Sequence, residues 1–196
     1  MASLLALSDE HSQPQRNSDT LARIVERIRV EQGLGREVPG FDPTNGNENA
    51  RYLFVLEAPG PKAVASGVIS LDNDDQTARN FRDQLKCAGV DRSDIALWNV
   101  VPWYLGTKTQ TKIRPATGQD IGKALEYLSD VVSAIPHLRC IMLVGGAARR
   151  GHIWLSHRTT ARILSCHHPS PKVQNTIQGA KEENVAIFRY MLATSK

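Results

Sequence analysis

Residues that could do chemistry follow four short apolar runs of this chain. Glu57-Ala58-Pro59-Gly60 comes after the first run, and Asn99 lies within the second. Gly145-Gly146 comes after the third run and His167-His168 after the fourth. A carboxylate can orient water, an amide donates and accepts hydrogen bonds side by side, and an imidazole can donate while neutral. Each feature alone is common, and it is their shared position that points to a site.

The spacing of apolar residues predicts the elements that would position these groups. The runs predict strands at Tyr52–Leu56, Ile95–Val101, Cys140–Val144 and Arg162–Ser165, and the segments between them have helical spacing. This alternation predicts an α/β fold, a three-layer α/β/α sandwich with a central four-stranded parallel sheet. The carboxyl ends of parallel strands open on one rim, where such folds bind ligands.

Helical stripes precede, separate and follow the predicted strands. They begin at Leu21, Ala78 and Ile121, with a short weak helix at Ala147–Leu155 and a C-terminal stripe that includes Ile177. Thr117 and Asp120 resemble a capping box at the start of the third helix. Residues 1–16 are polar and read as a flexible tail, so residues 17–196 are predicted to form a single domain.

Composition limits the class of protein. Of 196 residues, 41% are hydrophobic and 22% are charged, which fits one globular domain and excludes a disordered, collagen-like or disulfide-dense chain. A formal charge of +4 suits a polyanionic partner without requiring one. Three cysteines without a CxxC pair favour a reducing compartment, and neither a secretory leader nor a membrane-spanning run is apparent. We therefore expect a cytoplasmic protein with no membrane association.

Three motifs in this chain resemble those of the uracil-DNA glycosylase superfamily. Glu57-Ala58-Pro59-Gly60 resembles the first motif in its family-four form, with Leu56 in place of the leading glycine. Asn99 and its Val-Val-Pro-Trp tail resemble the asparagine motif, and His168-Pro169-Ser170-Pro171 matches the second motif. The resemblance runs from about Tyr52 to Asn175. It implies an enzyme that flips a deaminated base out of DNA and hydrolyses its N-glycosidic bond.

The resemblance implies catalytic roles for Asn99, His168 and Glu57. The Asn99 amide would accept a hydrogen bond from uracil N3–H and donate one to O4, whereas cytosine presents the reverse pattern. His168 would donate to O2 of the departing pyrimidine, which a neutral imidazole can do. Glu57 would shape the pocket or help orient water.

The resemblance also implies the walls of the base pocket. They are expected from Ala58, Pro59, Gly60, Val68, Ile69 and Ser70. Ala58 stands where several family members carry Asp or Asn to position water. Either Glu57 or a carboxylate from Asp72, Asp74 or Asp75 substitutes, or the leaving group departs with little help to water. No aromatic residue occurs in Gly67–Leu71, where the family usually places a stacking phenylalanine, so we expect an aliphatic face to serve.

DNA contacts are expected from loops around the same rim. The candidates are Pro169, Ser170, Pro171, Lys172, Lys112 and Trp103. Lys172 stands where the family places its apolar wedge, and a lysine is a poor wedge. Cys87, Cys140 and Cys166 are too few and wrongly spaced for the four-cysteine iron–sulfur cluster of family four. We therefore expect no cluster, no metal site and no other cofactor.

These features predict a monomeric, metal-independent uracil-DNA glycosylase acting on uracil-containing DNA, single- or double-stranded. No amine nucleophile stands in the motifs, so simple hydrolysis to an abasic site is expected. One alternative is a glycosylase for another deaminated base such as hypoxanthine or xanthine. Another is a non-catalytic binder of damaged or single-stranded DNA. A small-molecule domain lacks support, because no glycine-rich phosphate loop follows the first strand.

Overall fold

A computed structural model describes residues 20–35, 37–107 and 113–195. The helices are α1 Thr20–Gln32, α2 Pro61–Ser66, α3 Gln76–Ala88, α4 Gly118–Ser133, α5 Gly145–Arg149, α6 His152–Ser156, α7 Pro171–Thr176 and α8 Ala180–Thr194. The strands are β1 Gly40–Phe41, β2 Tyr52–Leu56, β3 Val68–Ile69, β4 Ile95–Asn99, β5 Cys140–Val144 and β6 Arg162–Cys166. Short 3-10 helices occur at Asn47–Asn49 and Arg92–Asp94. The predicted tail, residues 1–16, lies outside the described residues.

The main sheet has four parallel strands in the order β4-β2-β5-β6. The runs of β2, β4 and β5 are largely apolar and almost entirely buried, as expected for strands covered on both faces. β1 and β3 form a separate two-stranded parallel pair. The predicted α/β class with a central four-stranded parallel sheet is therefore confirmed.

The strand order fixes where the helices lie. From β2 the chain crosses through α3 to β4, and from β4 it returns through α4 to β5 on the other side of β2. These two crossovers run in opposite directions, so their common right-handedness places α3 and α4 on opposite faces of the sheet. α8 packs against α3, and α1 packs against α4. The result is the predicted three-layer sandwich.

The α3 layer is joined to the sheet by three aromatic rings. Phe54 of β2 meets Phe81 of α3 and Phe188 of α8 edge to face, at centroid distances of 5.4 and 5.5 Å. Such edge-to-face pairs add to the hydrophobic stabilisation of burial. Because Phe54 and Phe188 are fully buried, this cluster fixes α3 firmly beside β2. The N-terminus of α3 is thereby held close to the rim.

Several predicted elements differ in detail. β4 ends at Asn99 rather than Val101, although Val100 and Val101 still donate backbone hydrogen bonds to Leu56 and Glu57. The predicted helix at 147–155 is two helices, α5 and α6, separated at residues 150–151. Ile177 lies outside α8, because Gly179 takes a positive φ of 80° just before that helix begins. The capping box of Thr117 and Asp120 is present at α4 as predicted.

Candidate active site

A cavity of about 300 Å³ opens at the carboxyl ends of β2 and β4. The connections that leave these adjacent strands go to opposite faces of the sheet, which is where ligand crevices form in open α/β folds. The volume is at the lower end of the range of about 300–1,000 Å³ that is usual for small-molecule sites. The residues of the cavity that bear on its chemistry are Ala58, Pro59, Gly60, Ile69, Ser70, Asn73, Asp75, Phe81, Asn99, Ile113 and His168.

Asn99 is the last residue of β4 and is only 2% exposed. Its backbone is fixed by pairing with Leu56 in β2, so its side chain enters the cavity from a rigid strand end. The side-chain Nδ2 atom is buried and has no hydrogen-bond partner among the described residues. A buried amide donor without a partner is costly unless a ligand completes it. This orphaned donor is the clearest sign of a polar ligand in the cavity.

His168 faces the same cavity from the loop after β6. The backbone N–H of Ser170 donates to its Nδ1 atom at 3.2 Å. Nδ1 is therefore an acceptor, and in the neutral ring the proton lies on Nε2. Burial lowers the pKa of His168 below its usual value, against the opposing charges of Glu57 and Asp75. His168 is thus a neutral imidazole with Nε2–H free to donate.

The position of His168 depends on Gly145, which begins α5 directly after β5. A Cβ atom at Gly145 would lie 3.0 Å from His168 Cβ and 3.4 Å from its Cδ2. Gly145 also has a φ of +86°, which side chains rarely adopt. The imidazole therefore rests against a stretch of backbone that has to be glycine.

The four carboxylates considered for positioning water lie in different places relative to the cavity. Asp75 lines the cavity, where it caps α3 by accepting from Ala78 N at 2.9 Å. Glu57 is not among the residues that line the cavity, and its Oε1 accepts from Ala116 N at 2.8 Å. Asp72 and Asp74 instead form ion pairs with arginines at the surface. Of the four, Asp75 is the one whose carboxylate borders the cavity.

The predicted walls are largely present. Ala58, Pro59, Gly60, Ile69 and Ser70 line the cavity, but Val68 does not. Val68 instead accepts a hydrogen bond on its backbone oxygen from Asn73, whose side chain thereby closes the β3 turn. β3 alternates its side chains, so Ile69 and not Val68 faces inward.

An aromatic wall is present that sequence reasoning missed. Phe81 of α3 lines the cavity, although the segment after the first motif carries no aromatic residue. Phe81 belongs to the apolar stripe of α3 and is only 3% exposed. Its helical spacing with Ala78 was visible in the sequence, but that spacing predicts core packing and not a place beside the cavity. The expected purely aliphatic face is therefore replaced by a mixed one.

His167 belongs to different surroundings from His168. Its Nε2 atom lies 2.7 Å from Glu183 Oε2, beside a second small cavity. Its backbone N–H and C=O are both bonded by the buried side chain of Asn184, at 2.8 and 2.9 Å. Asn184 also donates to Gln84 of α3. α8 and α3 together thus hold the histidine loop in place, through two residues that no motif in the sequence indicated.

The second-motif loop is built to be rigid. Pro169 is buried, and its backbone oxygen accepts from Asn80 of α3 at 2.9 Å. Ser170 accepts from Val173 N at the start of α7, and Pro171 is the first residue of that helix. Lys172 is exposed beside them. These four predicted DNA contacts therefore lie together after β6.

The two other predicted DNA contacts do not join this group. Trp103 is a correction: the residue is only 9% exposed, and its ring packs edge to face on that of Tyr127 in α4, with the ring centroids 6.4 Å apart. Burial of a large apolar ring stabilises the folded state, and the Trp103 side chain accordingly packs in the core. Lys112 lies outside the described residues.

The cysteines do not fit an iron–sulfur cluster. Cys140 begins β5 and pairs in register with Arg162, whereas Cys166 ends β6 opposite Val144. Four residues of strand separate the two levels, a distance of about 13 Å. Burial raises the pKa of Cys140 to about 11 and that of Cys166 to about 12, so both remain thiols. Within residues 20–35, 37–107 and 113–195, no three His, Cys, Asp or Glu side chains are grouped to hold a metal ion.

Fold and cavity together define an open α/β/α protein with an amide and an imidazole donor at the switch point of its sheet. Comparison with known families identifies the group to which it belongs. The uracil DNA glycosylase superfamily matches residues 43–192, and this chain is a member of that superfamily. The resemblance seen in the three motifs is thereby confirmed.

Solved structures agree at the level of the fold. The solution NMR structure of a candidate uracil DNA glycosylase from Methanosarcina acetivorans is similar with a TM-score of 0.54 and 16% identity. The match covers 79% of this chain and 98% of that one. No curated protein matches the sequence. None of the described helices is long and apolar enough to cross a membrane.

Proposed function

We propose that this member of the superfamily is a monofunctional glycosylase that removes uracil from DNA. The observation that carries the proposal is the buried Nδ2 donor of Asn99, which has no partner within the described residues and shares its cavity with the Nε2–H of His168. The superfamily match supports a DNA glycosylase, and this pair of donors supports a base with carbonyl oxygens. The product is an abasic site and a free base.

Base recognition rests on the Asn99 amide. Its Nδ2 donates to O4 of the flipped base, and its Oδ1 accepts from N3–H. Cytosine offers an amino donor and an unprotonated N3 at the same positions, so both contacts become donor-on-donor or acceptor-on-acceptor. A buried polar group left unpaired costs about 1–3 kcal/mol, which is enough to favour uracil over cytosine strongly.

Bond cleavage rests on His168. As the bond between base N1 and sugar C1′ breaks, its electron pair moves to the base, and the charge is shared with O2. A hydrogen bond from the neutral Nε2–H to O2 strengthens as this charge develops. The loss of one such donor in comparable sites costs about 3 kcal/mol of transition-state stabilisation.

Water reaches the sugar with the help of Asp75. Its carboxylate borders the cavity, and the cap to Ala78 N fixes its orientation. The water oxygen bonds to C1′, and the carboxylate accepts the proton that the water loses. Glu57 accepts from Ala116 N and does not line the cavity, so we assign it to shaping the pocket and to the local charge.

One observation favours a second substrate. Hypoxanthine presents a ring N–H beside a carbonyl oxygen, as uracil does, so the Asn99 amide pairs with both edges. The first-motif wall carries the small residues Ala58 and Gly60, and the cavity is large enough for a small ligand. A hypoxanthine glycosylase is therefore the second candidate. A binder that cleaves nothing is the third outcome that the experiment must distinguish.

The test is single-turnover excision from oligonucleotides that carry one uracil, hypoxanthine, xanthine or mismatched thymine, followed by alkaline cleavage of abasic sites. Wild-type protein is expected to release uracil. His168→Ala is expected to slow release by about a hundredfold or more. Asn99→Ala should lose release of uracil, and Asn99→Asp should admit cytosine, because a carboxylic acid offers a different donor pattern.

His167→Ala is the matched control for the imidazole. It removes the neighbouring ring, which pairs with Glu183 outside the candidate site, and leaves the backbone bonds to Asn184 in place. Its rate should stay close to that of the wild type. Release of hypoxanthine alone would favour the second candidate, and salt-sensitive DNA binding without release of any base would favour the binder. Equal rates for His167→Ala and His168→Ala would contradict the assigned role of His168.

A further inference from the structure

An apolar side chain stands at the mouth of the cavity. The structure describes five exposed large hydrophobic residues, namely Val30, Ile113, Ile153, Ile177 and Tyr190. Of these five, Ile113 also lines the cavity, and it is 50% exposed. Single exposed apolar residues need no explanation by themselves, but one that is half in water and half in a ligand cavity lies on the path of a base that enters.

The backbone at Ile113 and Arg114 is paired with residues 105–106. Ile113 forms an antiparallel bridge with Gly106, and Arg114 N donates to Leu105 O at 3.3 Å. The ring of Tyr104 lies against Gly106 so closely that a Cβ there would come within about 2 Å of it. Ile113 is therefore held by an isolated bridge to a residue that Tyr104 packs against.

A pair of charges anchors the next residue. The Arg114 guanidinium makes two hydrogen bonds to the Asp120 carboxylate, at 2.6 and 2.9 Å. Asp120 also accepts from the backbone N–H and hydroxyl of Thr117 in the capping box of α4. Bidentate pairs of this kind hold a defined geometry. Because Asp120 binds Arg114, the neighbouring Ile113 is held at the mouth of the cavity.

The position where the family resemblance places an apolar wedge carries an exposed lysine, Lys172. Flipping a base leaves a gap in the stack, and enzymes commonly fill such a gap with an aliphatic side chain. The ammonium group of a lysine is strongly hydrated and suits phosphate instead. The second-motif loop therefore lacks an apolar group at that position.

We propose that Ile113 supplies this apolar wedge, entering the duplex beside the flipped nucleotide. The proposal rests on the proposed glycosylase function and adds that the side chain from the β4–α4 loop, not the one after the second motif, replaces the lost stacking. A wedge is needed only in a duplex, where the flipped base would otherwise stack on its neighbours and pair with the opposing strand again. The requirement for Ile113 is therefore specific to duplex DNA.

The test compares Ile113→Ala with the wild type on one uracil oligonucleotide, used as a single strand and as a duplex. Single-turnover excision from the duplex should fall by about tenfold or more, while excision from the single strand stays within about twofold. Ile113→Leu should restore the duplex rate. A 2-aminopurine beside the uracil reports unstacking by fluorescence, and this signal should fall in Ile113→Ala on duplex DNA.

Two further variants keep the result decisive. Ile153→Ala removes an isoleucine that is 77% exposed and does not line the cavity, and it should leave both rates unchanged. Lys172→Ala tests the rival position. If Ile113→Ala lost equal excision rate on single-stranded and duplex DNA, Ile113 would be a wall residue of the cavity. If only Lys172→Ala lost rate, and only on the duplex, Lys172 would be the wedge. Either result would overturn the proposal. If the wild type releases no uracil from either form, the proposed function fails, and the fluorescence signal still decides the role of Ile113.

Discussion

The loop after β6 fixes the tautomer of His168. Its Nδ1 atom accepts from Ser170 N, two residues further along the same loop, so the loop itself directs the Nε2 proton into the cavity. A neutral donor needs no proton from solvent, and burial favours that neutral form. In the proposed glycosylase reaction, the ring therefore has the required protonation state before DNA binds.

The lowered pKa of His168 predicts a particular pH dependence. The imidazole should stay neutral as the pH falls through about 6.5, the usual histidine value. The unfolded chain takes up a proton there and the folded chain does not, so this group's contribution to stability is lost as the pH falls further. Nitrogen-15 NMR of the imidazole should show an Nε2–H tautomer that titrates below about 6.5.

Variants of the neighbouring carboxylates supply the control. The charges of Glu57 and Asp75 raise the pKa of His168 against the larger effect of burial. Glu57→Gln and Asp75→Asn should therefore each lower that pKa further. A His168 that titrates at or above the ordinary value, or that carries its proton on Nδ1, would contradict the assigned donor.

Particular residues show how much of the site the sequence could reveal. Asn99 and His168 were predictable because Asn99 lies near the end of one apolar run, His168 lies shortly after another, and parallel strands share one rim. Phe81 and Ile113 were not, because helical spacing and an isolated apolar residue carry no information about distant neighbours. Asn184 forms hydrogen bonds to His167, which is 17 positions away in the sequence, and to Gln84, which is 100 positions away. Such long-range pairs become visible only in the folded chain.

At the scale of elements, the sequence predicts strands and helices with a clear apolar pattern, but it does not predict very short strands. The core strands at Tyr52–Leu56 and Cys140–Val144 begin and end where their apolar runs do. β1 and β3 have two residues each, too few to give an alternating pattern. The helix predicted at 147–155 breaks at residues 150–151, where the Gly151 N–H donates to the Ala148 carbonyl at 3.0 Å, a bond from residue i to residue i−3. Local spacing predicts an element, whereas its ends depend on packing.

The junction of β5 and α5 is predicted to control activity through Gly145. Gly145→Ala forces a Cβ into a positive φ of 86° and to within 3.0 Å of His168 Cβ. We expect a destabilisation of about 1–2 kcal/mol and a loss of uracil excision of at least about tenfold, because the imidazole must shift. Chemical denaturation and single-turnover excision measure the two effects.

Gly89→Ala separates backbone strain from displacement of the ring. Gly89 ends α3 at a nearly equal φ of 79°, and nothing lies within 4 Å of where its Cβ would be. Gly89→Ala should therefore lose similar stability and keep its excision rate. If both variants lost activity in proportion to their stability, the contact between Gly145 and His168 would have no catalytic meaning.

Across the whole molecule, charge is distributed unevenly along the chain. Residues 131–181 contain seven Lys and Arg but no Asp or Glu, whereas the rest of the chain has 17 basic and 20 acidic residues. This segment supplies the strand ends of β5 and β6 together with the histidine loop. A modest net charge of +4 thus conceals a basic segment. Its Arg149, Arg150 and Lys172 follow the carboxyl ends of the strands, whereas Arg139 and Arg162 lie where β5 and β6 begin.

That asymmetry predicts which cations meet phosphate. Arg150 and Lys172 are exposed and follow the carboxyl ends of β5 and β6, whereas Arg162 is exposed at the opposite edge, where β6 begins. Each phosphate contact contributes about 0.9 to the slope of log affinity against log salt for duplex DNA. Arg150→Gln and Lys172→Gln should each reduce that slope by about this amount, measured by fluorescence anisotropy between low and physiological salt. Arg162→Gln makes the same charge change at the opposite edge of the sheet and should leave the slope unaltered. An equal reduction in all three variants would mean that DNA responds to the net charge of the protein and does not dock on the rim.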